Sequence, residues 1–191
     1  MSKYDKLVTN AAGRVVPTVI NGKPAVPYMG VGKYRPKGFK ASTRIASCID
    51  YPEDGNKVVA SLKDALIKCG LKNGMCISTH HHFRNGDLVA VPVFDIAHEL
   101  GMKDLLWLPS ASFPCHEVLT KYLEDGTIDH IEGSMNGALG KFTSEGKMKG
   151  LGVLRSHGGR YQCVQDGELH IDIAVIAAPS ADPFGLSLIH I

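Results

Sequence analysis

The run Asn73-Gly74-Met75-Cys76-Ile77-Ser78-Thr79, continuing into His80-His81-His82-Phe83-Arg84-Asn85-Gly86-Asp87, decides how the rest of the chain is read. An Asn-Gly turn leads into a short strand-like segment over 75–79, and a dense polar cluster follows it before the next apolar periodicity begins. Upstream, Val58, Leu62, Ala65, Leu66 and Cys69 share one helical face, with Gly70 where a left-handed cap is expected. Downstream, Leu88, Val93, Phe94, Ala97 and Leu100 predict a second helix ending before Gly101, with Pro92 in its first turn and Asp87 at its cap.

The same rhythm repeats to the C-terminus. Strands are predicted at 105–108, 128–131, 151–154 and 171–177, helices around 117–123 and 138–143, and a further short strand over 161–164. Alternation at this spacing predicts an α/β fold, an open mostly parallel sheet flanked by helices on both faces. Ligands in such sheets bind in the loops beyond the strands' carboxyl ends. Residues 1–56 stand apart: they carry a basic excess, half of the prolines and no sustained period, which predicts an irregular basic N-terminal arm. The arm either lies extended over the domain or a partner subunit, or uses Lys33, Arg35, Lys37, Lys40 and Arg44 to attract an anionic cofactor or an acidic carrier protein.

The chain has 191 residues, 44% hydrophobic and 21% charged, which suits one compact domain or two small ones and excludes disorder throughout. Lys and Arg total 21 against 19 acids, too balanced for bulk attraction to nucleic acid. No stretch approaches the roughly 20 apolar residues that span a bilayer, and the polar N-terminus lacks the apolar core of a secretory signal, so a cytoplasmic protein is expected. The five cysteines are scattered and contain no CxxC pair, and are read as reduced thiols. With 21 glycines, about one residue in nine against a usual share of roughly 7%, many tight turns or close backbone approaches are implied.

Four polar groups follow predicted strands. In the first, neighbouring histidines alternate faces, so at most two of His80, His81 and His82 serve one site. No HExxH or similar spacing supports a metal, and none is predicted. What remains is a histidine bonded in the core, or an anion site in which Arg84 offers a planar fork to carboxylate or phosphate, beside Asn85 and a close backbone approach at Gly86. In the second, Ser110-Ala111-Ser112, the hydroxyls bind a ligand or cap a turn. In the third, Asn136 donates to a carbonyl or shapes a turn. In the fourth, Ser156-His157-Gly158-Gly159-Arg160, successive amides form an oxyanion nest or a plain glycine turn. The absence of GxSxG and GxxxxGK[ST], and of a third glycine after Gly30-Val31-Gly32, disfavours a serine hydrolase, a P-loop NTPase and an ordinary Rossmann dehydrogenase.

The ordered set Asn73-Gly74-Met75, His80-His81-His82-Phe83-Arg84-Asn85-Gly86-Asp87-Leu88, Ser156-His157-Gly158-Gly159-Arg160 and Gly167-Glu168-Leu169-His170-Ile171-Asp172-Ile173-Ala174 resembles the citrate lyase alpha subunits, the citrate:acetyl-carrier-protein transferases of the CoA-transferase superfamily. The resemblance covers roughly residues 57–185. It implies a CoA-transferase-like (NagB-RpiA-like) domain over 57–185, the N-terminal half of a longer subunit, with residues 186–191 an unrelated tail. It also implies partnership with the lyase beta subunit, the acyl-carrier gamma subunit and the subunit's own C-terminal half. The cofactor implied is a phosphoribosyl-dephospho-CoA group on the carrier, supplied in trans. The implied reaction exchanges acetate for citrate on that thioester through a mixed anhydride, without a covalent enzyme intermediate, so positioning and oxyanion stabilisation are what the protein supplies.

On this reading Arg84 orients a citrate carboxylate and the Gly158 and Gly159 amides face a developing oxyanion or the cofactor. His81 or His157 donates a hydrogen bond to the same oxygen, while His80, Asn85, Gly86, Ser110, Asn136 and Arg160 complete the binding surface. Another acyl-CoA:carboxylate CoA-transferase, or a non-catalytic ligand-binding domain of the same fold, are the competing readings.

Overall fold

The computed structural model describes residues 6–20, 22–27, 55–80 and 83–185. They belong to two units, Met1–Ala41 and Ser42–Ile191. The first holds two antiparallel ladders, β1 (Leu7–Thr9) with β2 (Val15–Pro17) and β3 (Val19–Ile20) with β4 (Lys23–Pro24). The segment expected to be irregular therefore has local order. Strands of two or three residues are too short to leave a period in the sequence, and the turns between them pass through Gly13 and Gly22 at φ of 74° and 76°. The five basic residues singled out in the arm, His81, and residues 186–191 lie outside the described residues.

The second unit is built on α1 (Leu62–Lys68), β5 (Cys76–His80), α2 (Ala90–Glu99), β6 (Leu105–Pro109), α3 (Thr120–Glu124), β7 (Ile128–Gly133), α4 (Gly137–Ser144), β8 (Val153–Leu154), α5 (His157–Gln165) and β9 (Ile173–Ile176). Local chemistry sets several boundaries. Ser61 caps α1 by accepting the Asp64 amide, and Gly70, at φ 75°, ends it as the sequence predicts. Pro92 sits in the first turn of α2, where a missing N–H costs nothing, and the Asp87 carboxylate accepts the amides of Val89 and Ala90 just before it.

The five strands pair in parallel in the order β8-β7-β6-β5-β9. All five residues of β6 are buried, as a strand covered on both faces requires. From β5 to β8 the chain steps one way across the sheet, and α1 to α4 pack with Ile77, Leu105 and Trp107 on one face. To reach β9 it must return past β5, and a right-handed crossover puts the returning helix on the other face. There α5 lays Cys163 against Cys76, Leu106 and Leu108, the alternate residues of the same two strands. The larger core centres on Phe94 and Trp107, both fully buried with rings edge to face at 5.8 Å, and each such side chain contributes about 2 kcal/mol by leaving water.

Three sequence expectations are corrected. Residues 161–164, expected as a strand, lie inside α5: the Ser156 cap and the burial of Cys163 on the sheet override the local preference for an extended chain. The Gly158-Gly159 loop is likewise the first turn of that helix, so its amides form no concave nest. Ahead of α3, the segment Pro114–Leu119 is a 3-10 turn rather than the start of the helix.

Candidate functional site

β6 lies on one side of β5, the first strand of this sheet, and β9 on the other, so β5 and β9 flank the point where strand order reverses. A cavity of about 370 Å³ opens there, within the size range of small-molecule sites. β5 contributes Ser78 and His80, the turn after β6 contributes Ser110, and α5 contributes His157, Arg160 and Tyr161; Ala174 to Ile176 of β9 form the opposite wall. None of these lining residues is acidic.

Arg160 reaches inward from α5 to the sheet. Its Nη2 donates to the Ser78 hydroxyl and, at 3.4 Å, to the Leu108 carbonyl oxygen. Its Nε is buried and has no hydrogen-bond partner among the described residues. The neighbouring Arg155, by contrast, donates from Nε to Glu132 at 2.7 Å. Beneath the cavity the Cys76 thiol is pushed up to about 12, first by burial and then by the charges of Asp172 and Glu132, so it stays protonated and is no nucleophile. Burial raises Cys163 as well. The described cysteines, Cys69, Cys76, Cys115 and Cys163, are free thiols.

A second polar assembly sits on the other side of the β5 carboxyl end. His116, in the 3-10 turn, is 1% exposed and meets Asp87 at 2.7 Å through Nε2. Its Nδ1 accepts the Phe113 amide at 2.9 Å. That amide leaves no room for a proton on Nδ1, which assigns the neutral tautomer with Nε2–H donating to the carboxylate. Asp87 thus receives three donors, counting the Val89 and Ala90 amides. The Cys115 amide donates to Asn85 Oδ1 at 2.9 Å, and the Cys115 thiol approaches the Arg84 carbonyl oxygen at 3.7 Å. Arg84 is held at φ 52°, a left-handed backbone unusual for a residue with a side chain.

The structure therefore brings together His80, Ser110, His157 and Arg160 from the sequence-predicted set. It leaves Arg84, Asn85, Gly86 and Asn136 off the cavity lining. Asn85 serves the turn by bonding Cys115, and Gly86 donates its amide to the Phe83 carbonyl. Asn136 caps α4, with its amide on the Ser112 hydroxyl and its side chain on the Ser112 carbonyl. Gly158 and Gly159 precede Arg160 in the first turn of α5, and the Gly159 amide is already bonded to Ser156 Oγ at 3.0 Å. Sequence reasoning missed Ser78, which lies inside a strand with no motif around it, and Tyr161, hidden by the strand expectation. It also missed His116, whose only signal is its place two residues after Pro114.

A protein-family model described as citrate lyase, alpha subunit matches residues 55–188. The chain belongs to the citrate lyase alpha subunit family. The match begins where the α/β domain begins and runs three residues into the segment read as a tail. Citrate lyase alpha chains from Klebsiella pneumoniae and Escherichia coli K12 are 41% and 38% identical over 130 residues, 68% of this chain and 26% of each relative. The chain thus spans about a quarter of the length of the curated relatives it matches. A crystal structure from Streptococcus mutans, described as an alpha subunit of citrate lyase in complex with citrate, superposes with a TM-score of 0.73 at 36% identity, covering 81% of this chain and 30% of that one. Within the citrate lyase alpha fold, the cavity above occupies the crevice at the switch in strand order. Among the described residues no helix is long and apolar enough to cross a membrane, and no group of His, Cys, Asp and Glu is arranged to hold a metal ion.

Proposed function

We propose that the intact protein exchanges acetate for citrate on the thioester of an acyl-carrier protein, and that the β5–β9 cavity is where the acid and the acyl group meet. The observation that carries this reading is the lining of that cavity in a citrate lyase alpha fold: a guanidinium, imidazoles and hydroxyls converge at the strand-order switch with no carboxylate among them. Such a surface stabilises negative charge, both on a bound carboxylate and on the oxygen that develops charge during acyl transfer. When bound, the carrier's phosphoribosyl-dephospho-CoA group supplies the activated acyl thioester.

This chain's residues position and stabilise. Arg160 offers a fixed cation, Ser78 and Ser110 offer hydroxyls, and His157 and His80 offer ring nitrogens at the cavity wall. Among the described residues of this chain, the cavity lining holds no carboxylate and the Cys76 thiol is held protonated by burial, so what these residues supply is orientation and charge stabilisation. Orienting the two acids lowers the barrier to their exchange. The volume suits a small acid together with the acyl end of a thioester. The lyase beta subunit then takes over the citryl carrier.

The test is acetate release from acetyl-carrier protein by the intact subunit, with a panel of acids supplied. Citrate is expected to support release at least ~10-fold faster than monocarboxylic acids, corresponding to about one additional charge-assisted hydrogen bond in the transition state. Release that is indifferent to the acid, or absent with every acid, overturns the reading.

A further inference from the structure

We infer that Arg160 is a carboxylate anchor that waits in the cavity on neutral partners and exchanges them for the acid. The inference deepens the function proposed above and depends on it only for the identity of that acid. Three observations support it. The guanidinium lines the cavity, but both acceptors it reaches are uncharged, the Ser78 hydroxyl and the Leu108 carbonyl oxygen. One of its donors, Nε, is buried and unpartnered among the described residues. No ion pair joins Arg160 to any described carboxylate, whereas Arg155, Lys103, Lys147 and Lys149 each have one.

A buried guanidinium N–H without a partner is costly, and a protein interior seldom keeps one. A purely structural arginine tying α5 to the sheet gains by meeting an acid, and this one meets none. A planar fork satisfies a carboxylate through two parallel hydrogen bonds, and swapping the Ser78 and Leu108 acceptors for that pair gives every guanidinium donor on one edge a charged partner. The position favours the same class of ligand. Arg160 stands in the first turn of α5, whose N-terminal end favours negative charge, and no acidic side chain lines the cavity to compete. His157, the first residue of the same helix, lies at the wall of the cavity where a second carboxylate of a di- or tricarboxylic acid would reach.

The experiment is calorimetric titration of the intact subunit with citrate, comparing the parent with Arg160→Gln and Arg160→Lys. Loss of the fork should weaken citrate binding at least ~30-fold in Arg160→Gln and about 10-fold in Arg160→Lys, with melting temperatures near the parent's. Affinity unchanged in both variants, with a lowered melting temperature, assigns Arg160 to helix packing and overturns the anchor. Should Arg160→Gln fail to fold, phenylglyoxal labelling of the parent, read at Arg160 by mass spectrometry, replaces it. Citrate should slow labelling several-fold, and equal rates with and without citrate overturn the anchor. If the parent ignores citrate yet binds another carboxylic acid that Arg160→Gln loses, the anchor stands and the citrate function falls. If parent and both variants bind citrate alike, the anchor falls and the citrate function stands.

Discussion

Two polar assemblies hang from the carboxyl end of β5, and they treat their charged groups in opposite ways. In the clasp formed by residues 84–87 and 113–116, the Asp87 carboxylate is almost wholly buried and receives three donors, one from a histidine whose second nitrogen is itself bonded. In the cavity formed by β5, α5 and β9, the Arg160 guanidinium has only uncharged acceptors and keeps one buried donor unpartnered. The alternation of side chains along β5 separates them: Thr79, bonded to Trp107 Nε1 at 3.0 Å, faces the clasp side, and Ser78 faces α5. A closed network of this kind defines a conformation, while an incomplete one leaves capacity for a ligand.

The sharpest break of that contrast comes from His116→Ala. It removes one of three donors to a buried carboxylate and opens a void beside Trp107, whose ring lies 5.6 Å from the imidazole. The expected loss is about 3 kcal/mol of unfolding free energy by urea denaturation, from a hydrogen bond to a buried charge together with the cavity left behind. Arg160→Gln, in the cavity, should cost far less stability and far more ligand affinity. A His116→Ala protein within 1 kcal/mol of the parent would show that the clasp is not the rigid partner in the comparison.

Gly133→Ala tests the frame on which both assemblies stand. Gly133 ends β7 at φ 149°, and a Cβ there would come within 2.5 Å of the Pro109 carbonyl oxygen at the end of β6. Backbone cannot yield as a flexible side chain does, so about 2 kcal/mol of stability should be lost. Because Ser110 of the cavity and Ser112 beneath Asn136 both follow Pro109, a shift here should disturb clasp and cavity together. A neutral Gly133→Ala would mean the β6–β7 seam is looser than its geometry indicates.

Much of the frame was legible in the residues. Val93, Phe94 and Ala97 of the predicted helix face are fully buried in α2, whereas Leu88, expected on the same face, precedes the helix and is exposed; the predicted strand over 105–108 is buried throughout and runs one residue further, to Pro109. The rule that sites gather at strand ends pointed to His80, Ser110, His157 and Arg160, which the fold brings to one cavity. What the sequence did not reveal depends on the returning crossover. Read as a loop, Ser156–Arg160 looked like an amide nest; capped by Ser156 and packed through Cys163, it is a helix that aims Arg160 at the sheet. Arg84 looked like the carboxylate fork because it stands in a conspicuous motif, yet Asn85, Asp87 and His116 build that motif into the clasp, away from the cavity lining. Nothing local in the sequence pairs Asp87 with His116, 29 residues away.

The smallest expected effect discriminates best between one cooperative unit and two. Ser156→Ala removes the side-chain cap on the Gly159 amide and should cost about 1 kcal/mol, because the first turn of α5 then leaves an orphan donor. The clasp's hydrogen bonds run among residues 85–90 and 113–116, whereas the cap joins Ser156 to Gly159. Hydrogen exchange should therefore quicken at the amides of 157–160 while those of Val89, Ala90, Phe113 and Cys115 keep their rates. Loosened walls around Arg160 should lower citrate affinity by no more than a few-fold, since the guanidinium itself remains. If exchange in the clasp rises in step with that in α5, the two assemblies open as one, and the separation of a rigid clasp from a ligand-ready cavity fails.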